Sequence, residues 1–411
     1  MKNEDKNIIL LPVPDDGAGL AEVTDVTGGF KNTGLGRHAA QLLLSSCKRH
    51  FLHFSRVGCR SELLAEDENG HTAHSGHFGS FTDWDAGLPS LSGMCSIQLS
   101  LSPDETTMSP YQKAGILGAV RLLSLPEAYL EELDIRPVPG ADGEHISRTS
   151  GIPASACPDG FNITFTLNSS GEAHCSHIEV TLSDGSHEKT VCYPLPGENT
   201  PPADPGKTAK ACRSVFISPD VPHLWNISDP FLYTVQVKLF GKDDLLLARY
   251  TRKAGLSSVS IKGHSLLLNQ SPLKLFGLAY REPLRSEGYS PADDLRLFKD
   301  ANVNYLRSLY YPFSDDFLSL CDEAGILTEQ SAPVHGLGTD LPANQNAPAL
   351  RPLFDRMYQE MVLCGRSHPS VLLWSLGDDC VWGEQFRRGL MIIKKAGSRP
   401  PGQFPSANDH T

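Results

Sequence analysis

The sequence predicts a multidomain chain in which two β-sandwiches precede a region built on a parallel sheet. Three observations carry this. At 411 residues the chain exceeds what one hydrophobic core organises. Up to Gly255 the apolar residues alternate with polar ones in short runs, set among many of the 30 prolines and 36 glycines. That is the pattern of half-buried strands joined by turns. Beyond Gly255 strand-like and helix-like stretches alternate four times, which calls for parallel strands with crossover helices.

The bulk numbers narrow the function classes. A hydrophobic content of 40% with 20% charged residues describes a soluble globular protein. A net charge of −12 without a basic block argues against nucleic-acid binding. No apolar run reaches the ~18–20 residues of a membrane span. The apolar run Ile8-Ile9-Leu10-Leu11 is too short for the core of a signal peptide, so a cytoplasmic location is expected. The ten cysteines form no C-x-x-C pair and no zinc-like spacing with histidine, and are expected to be buried free thiols. The N-x-S/T sequons at Asn162, Asn168 and Asn226 carry little weight without a secretion signal.

In chain order, residues 1–125 form the first expected unit, a sandwich or jelly roll. Arg49 to Ser55 alternates, and Met94 to Leu101 alternates more cleanly. Asn69-Gly70 between them is a hairpin signal. His71, His74 and His77 follow closely, but no carboxylate or cysteine cluster accompanies them. A polar Gly/Ser-rich loop is therefore expected there rather than a metal site.

Residues 126–255 repeat the β pattern in Phe161–Leu167 and Tyr233–Leu239, fitting a sandwich of immunoglobulin-like size. The five prolines between Pro194 and Lys207 mark an exposed loop. From 256 to 411 the expected order is strand 273–277, a helix opened by Ser290-Pro291, strand 304–309 and helix 315–324 stopped by Gly325. Strand 326–329, helix 349–365, strand 371–376 and a helix around 383–395 complete it.

The stretch from Ser367 to Asp379 stands out. Val371 to Leu376 is a short apolar run that ends on Gly377 and the adjacent carboxylates Asp378 and Asp379. Such a run fits a strand buried on both faces. Carboxylates just beyond its C-terminal end either cap the next helix or stand where barrel enzymes keep their chemistry.

Several separated segments, in order, resemble glycoside hydrolase family 2, the β-galactosidase, β-glucuronidase and β-mannosidase group. Gly115 to Leu122 looks like the segment closing the family's jelly roll, and Leu224 to Tyr233 like the "LW…P.LY" segment of its immunoglobulin-like domain. Asp294-Leu295, Asn302-Val303-Asn304, Arg307 and Tyr311-Pro312 match the second barrel unit, and Leu320 to Glu329 the third. His368-Pro369-Ser370 through Asp379 is similar to "HPS..[ML]WS[LN]GNE". The resemblance implies a jelly roll, an immunoglobulin-like sandwich and the first half of a (β/α)8 TIM barrel. It implies a carbohydrate substrate; no cofactor and no metal are expected.

The family's retaining mechanism uses two carboxyl groups about 5–5.5 Å apart, one as acid/base and one as nucleophile. The acid/base position falls on Asp379, and the preceding asparagine position on Asp378. Aspartate is one methylene shorter than glutamate, a retreat of about 1.5 Å. A displacement of that order can cost ~100-fold in rate. On the substrate side the resemblance places Arg307, Arg281, Glu282, Tyr310 and Trp382, the last as a sugar-stacking face or as packing. The family's "G.N.HE" reads Gly277-Leu278-Ala279-Tyr280-Arg281-Glu282, and its "R.SHYP" reads Arg307-Ser308-Leu309-Tyr310-Tyr311-Pro312. Ala279, Arg281 and Tyr310 are thus departures. Arg307 is expected to orient a carboxylate by bidentate pairing.

Eight strand–helix units need ~250 residues, and about 155 follow Gly255, room for four units. The expectation is a C-terminally truncated, divergent member whose nucleophile half is missing or is supplied by a partner or a second copy. A non-catalytic carbohydrate-binding or scaffold relative is the alternative.

Overall fold

The computed structural model describes residues 11–16, 20–34, 37–45, 48–58, 60–77, 81–102, 115–126, 128–138, 157–169, 175–195, 209–283, 290–339, 341–396 and 402–403. Four of the loop prolines (196, 201, 202 and 205) and the Arg399-Pro400-Pro401 segment lie outside them.

Two antiparallel sheets form the first layered unit. One has five strands in the order Lys31–Gly34, Arg37–Leu44, Gly93–Ser102, Arg60–Asp67, Thr72–His77. The other has four, in the order Glu22–Asp25, Val120–Leu125, Arg49–Phe54, Trp84–Gly87. Alternation places Cys95, Ile97 and Leu99 inward and Met94, Ser96 and Gln98 outward. The inward residues meet Leu52, Phe54, Leu63 and Trp84 in one core. The histidine-rich segment is a strand here, not a loop, because Ala73 and His77 take inward positions. His77 stacks on Trp84 and lies 3.6 Å from Glu360, while His71 pairs with Asp67 at 3.0 Å.

A three-stranded sheet (Ala128–Val138, Gly160–Ser169, Ala209–Ile217) and a four-stranded sheet (Glu188–Pro194, His177–Ser183, Tyr233–Phe240, Leu246–Ala254) form the second unit. Phe161, Ile163, Phe165, Val180, Val235, Val237 and Tyr250 fill the space between them. The expectation of buried thiols holds for Cys95, Cys321 and Cys380, whereas Cys192 and Cys212 are exposed on edge strands.

Past a small hairpin sheet the chain builds a parallel sheet in sequence order: Gly277–Tyr280, Tyr305–Ser308, Leu327–Ser331, Val371–Ser375, with Gly402–Gln403 beside the fourth. Helices α1 (Pro291–Asp300), α2 (Asp315–Ala324), α3 (Arg351–Gly365) and α4 (Glu384–Lys395) alternate with the strands. The first strand begins at Gly277, four residues later than expected, because Leu273 and Leu275 pack beneath the sheet against Trp225, Leu268 and Leu327. Ser290 stands at the start of α1 without a side-chain cap bond, whereas the Ser314 hydroxyl accepts from the Phe317 amide at α2. Gly325 ends α2 at φ 66°, and a Cβ there would lie 2.8 Å from the Ile227 carbonyl. The sandwiches dock on this sheet through specific bonds. Trp225 Nε1 donates to Asp322 O at 2.8 Å, Arg366 reaches Glu132 and Asp134 at 2.6 and 3.1 Å, and Thr82 donates to Glu360 at 2.8 Å.

Candidate active site

The C-terminal ends of the four parallel strands gather the polar residues. Arg307 rises from the second strand and Glu329 from the third, in register with each other. Asp378 and Asp379 follow the fourth strand, and His335 follows the third. Backbone bonds bring the two loops together: Asp378 N donates to Val334 O at 2.9 Å and Gly336 N to Asp378 O at 3.0 Å. The Thr339 hydroxyl holds Asp379 O at 2.8 Å.

Arg307 divides its guanidinium between two carboxylates. Nη2 donates to Asp378 Oδ1 at 2.6 Å, and Nε lies 3.5 Å from Glu329 Oε1. The expected bidentate grip on one carboxylate is thus a bridge between two. Glu329 is buried, and burial raises its carboxyl pKa, against the hydrogen bond from the Tyr305 hydroxyl and the charge of Arg307. Burial and the Glu329 charge also raise Tyr305, which keeps it a donor.

His335 stands between the adjacent acids, with Nδ1 3.8 Å from Asp378 Oδ2 and Nε2 3.9 Å from Asp379 Oδ2. Its ring meets the edge of Tyr310 at 6.0 Å. The Asp379 side chain is 61% exposed, and its backbone is left-handed at φ 49°. A residue held there points its carboxyl to the open side of the mouth at a conformational cost. One ligand atom from each of His335, Asp378 and Asp379 falls within 4.8 Å of the others. This set of two carboxylates and an imidazole could hold a hard divalent cation, which no spacing in the sequence signals.

The structure therefore brings together Arg307, Asp378, Asp379 and Tyr310. Glu282 is turned elsewhere: its carboxylate accepts from Arg56 Nη2 at 2.5 Å, the Ser314 amide at 2.8 Å and the Ser314 hydroxyl at 2.7 Å. Arg281 Nη1 donates to the Tyr311 hydroxyl at 3.4 Å. Trp382 is 47% exposed, its ring 6.2 Å from Phe386, so it both packs and offers a face. Glu329, Tyr305 and His335 are not singled out by the sequence. The available signal is the polar run Thr328-Glu329-Gln330 inside a fully buried strand.

A cleft of about 1130 Å³ between the sandwiches and α2, α3 and α4 includes none of Arg307, His335, Asp378 or Asp379. Two of its wall histidines are paired with carboxylates. His53 pairs with Asp85 at 2.9 Å, and His368 with Asp322 and Asp315 at 2.6 and 3.1 Å.

Comparison with known proteins adds sequence-level matches over more than half of the chain. Residues 259–405 match the family model for "Glycosyl hydrolases family 2, TIM barrel domain", and residues 153–256 that for "Glycosyl hydrolases family 2". A β-galactosidase of Lactococcus lactis is 28% identical over 195 residues, 46% of this chain and 19% of that protein. A β-glucuronidase of Streptococcus agalactiae is 28% identical over 172 residues, 38% of this chain and 28% of that protein. The matched region thus spans only 19% and 28% of these two relatives. Among solved structures, a galacturonate-bound GH2 β-galacturonidase from Eisenbergiella tayi superposes with a TM-score of 0.75 at 18% identity, covering 96% of this chain and 73% of that one. That likeness is one of fold. No helix among the described residues is long and apolar enough to cross a membrane.

Proposed function

This chain belongs to glycoside hydrolase family 2, and from that premise we propose that its parallel-sheet mouth binds a β-glycoside with Asp379 in the acid/base position. The grouping of Asp379, Asp378 and His335 with Arg307 at the C-terminal strand ends is the observation that carries this reading. We read residues 1–125 as a jelly roll, 126–255 as an immunoglobulin-like sandwich and 256–411 as the first half of a TIM barrel. The order of the sheets along the chain supports that reading.

In a retaining mechanism Asp379 would protonate the glycosidic oxygen as the leaving group departs, then take a proton from the water that releases the sugar. Its exposure at the mouth suits proton exchange with solvent. A second carboxylate must attack the anomeric carbon from about 5–5.5 Å away. Asp378 and Glu329, the carboxylates joined through Arg307 at this mouth, both face that cation, which lowers their nucleophilicity. We therefore propose that the 411-residue chain alone binds glycosides without efficient double-displacement turnover. Arg307, Arg281, Tyr310 and Trp382 are the proposed sugar-facing residues, and Glu282 fixes the rim that carries Arg281.

The second reading, a non-catalytic carbohydrate-binding or scaffold relative, is favoured by the aspartate in place of the family's glutamate and by Ala279 in place of its asparagine. Hydrolysis of 4-nitrophenyl β-galactoside, β-glucuronide and β-mannoside by the purified chain tests the proposal. Little or no release of nitrophenol is expected. Steady turnover that Asp379→Ala abolishes would overturn the impaired reading and establish an active glycosidase.

A further inference from the structure

We propose that Arg56 and Phe81, both on the first sandwich, are positioning residues of the barrel mouth. They clamp the Tyr310-Tyr311 pair and so set Arg281 and His335. The role assigned to those two groups rests on the reading of the mouth as a glycoside site; the clamp itself stands on geometry. The Phe81 and Tyr311 rings stack at 5.0 Å and within 5° of parallel. The Arg56 guanidinium sits over the Tyr311 ring, 5.3 Å from its centroid. Stacking and cation–π contacts of this kind gain strength when desolvated, and Arg56, Phe81 and Tyr311 are all at most 3% exposed.

The same arginine donates to Glu282 at 2.5 Å and to the Pro312 carbonyl at 3.4 Å, so it grips the rim on both sides of Tyr311. The Tyr311 hydroxyl then donates to Glu282 O at 3.2 Å and accepts from Arg281 at 3.4 Å. Tyr310 packs against the Phe81–Tyr311 pair and is itself left-handed at φ 71°. A bulky residue in that conformation persists only where its surroundings hold it. Its ring edge meets His335, which lies against Asp378 and Asp379. Phe81 is also left-handed, at φ 58°, so strain sits on both sides of the contact. Arg56 is fixed from behind, where the Leu117 and Gly118 amides donate to its carbonyl at 3.0 and 3.3 Å.

Arg56→Gln and Arg56→Lys test this in the full 411-residue chain. Two quantities are read: calorimetric affinity for phenyl 1-thio-β-galactoside and phenyl 1-thio-β-glucuronide, and the imidazole resonance of His335 at one fixed pH. The proposal expects Arg56→Gln to move the His335 resonance and weaken thioglycoside binding about tenfold, equivalent to ~1.4 kcal/mol. Arg56→Lys, which keeps a charge on Glu282, should recover part of both. A folded Arg56→Gln protein with the wild-type His335 resonance and affinity would overturn the proposal. If the wild type binds neither thioglycoside, the glycoside-site reading falls and the resonance alone decides on the clamp. Movement supports it, and an unchanged resonance overturns it. Should Arg56→Gln fail to fold, Phe81→Leu, which keeps an apolar plug, takes its place. A shifted His335 resonance in that variant supports the clamp, and an unchanged one overturns it.

Discussion

Arg307 Nη2 donates to Asp378 Oδ1 at 2.6 Å while its Nε faces Glu329 Oε1 at 3.5 Å, so one cation compensates carboxylates from two different loop-and-strand elements. Glu329 is 1% exposed and has no other positive charge beside it among the groups that shift its pKa. Arg307→Gln should therefore destabilise the chain by about 3 kcal/mol, the cost of stripping one partner from a buried ion pair. The midpoint of urea unfolding measures it. A loss below about 1 kcal/mol, typical of an exposed pair, would mean that the bridge contributes little.

Asp379 combines strain with exposure, and the two can be separated. A left-handed backbone costs a non-glycine residue about 1–2 kcal/mol, less for aspartate than for most. Asp379→Gly relieves that cost and removes the carboxyl in one step. Stability should stay within about 1 kcal/mol of the wild type, since glycine's greater unfolded-state freedom offsets the relief. A large loss of stability on thermal unfolding would instead assign Asp379 a structural role.

His368 gives the cleft between domains a pH dependence. Burial opposes its charge, but Asp322 and Asp315 outweigh that effect and raise its pKa from 6.5 to about 10. A raised folded-state value means the stabilisation is complete below pH 6.5 and is lost as pH rises through about 10. Asp315 runs the other way. Burial alone would raise it, yet the hydrogen bond from His368 and its charge hold it down to about 2, so its share is lost as pH falls from 3.8 toward 2. In a stability-against-pH series His368→Gln should remove the part of the alkaline limb that runs up to about pH 10, leave the part due to His53, which its own carboxylates raise to about 9, and cost about 3 kcal/mol at about pH 6. An unchanged alkaline limb would place the pH sensitivity elsewhere.

Gly325 lies where the second sandwich meets the parallel sheet. At φ 66° any side chain is strained, and a Cβ would press on the Ile227 carbonyl at 2.8 Å. Gly325→Ala should cost about 1–3 kcal/mol. Ile227 follows Trp225, whose indole bonds Asp322 O at the end of α2, so the strain falls on the docking contact. Faster proteolysis between residues 255 and 290 would report the loosened junction.

The sequence made the location of the site legible because its carriers are local. Val371 to Leu376 is apolar without a break, and both acids follow it directly, so strand and carboxylates are read in one line. The Arg307 partner was legible only through the family resemblance, since 71 residues separate it from Asp378. His335 was not legible. It sits in a segment of irregular backbone between Ser331 and α3, where no periodicity reports which way a side chain points. Glu329 contradicts the apolar rule for buried strands and is tolerated because Tyr305, Arg307 and Ser375 meet it. The role of Glu282 lay furthest out of reach. It is set by Arg56, which is 226 positions away on the first sandwich, and only the docking of that unit on the parallel sheet brings them together.

Arg307, His335, Asp378 and Asp379 form the mouth that we propose as a β-glycoside site. Calorimetric titration of the wild type, Arg307→Gln and Asp379→Gly proteins with phenyl 1-thio-β-galactoside and phenyl 1-thio-β-glucuronide tests it most directly. A glycoside site at this mouth gives saturable binding of at least one thioglycoside by the wild type, weakened about tenfold or more, ~1.4 kcal/mol, in each variant. No binding by the folded wild type, or binding that both substitutions leave unchanged, would contradict it.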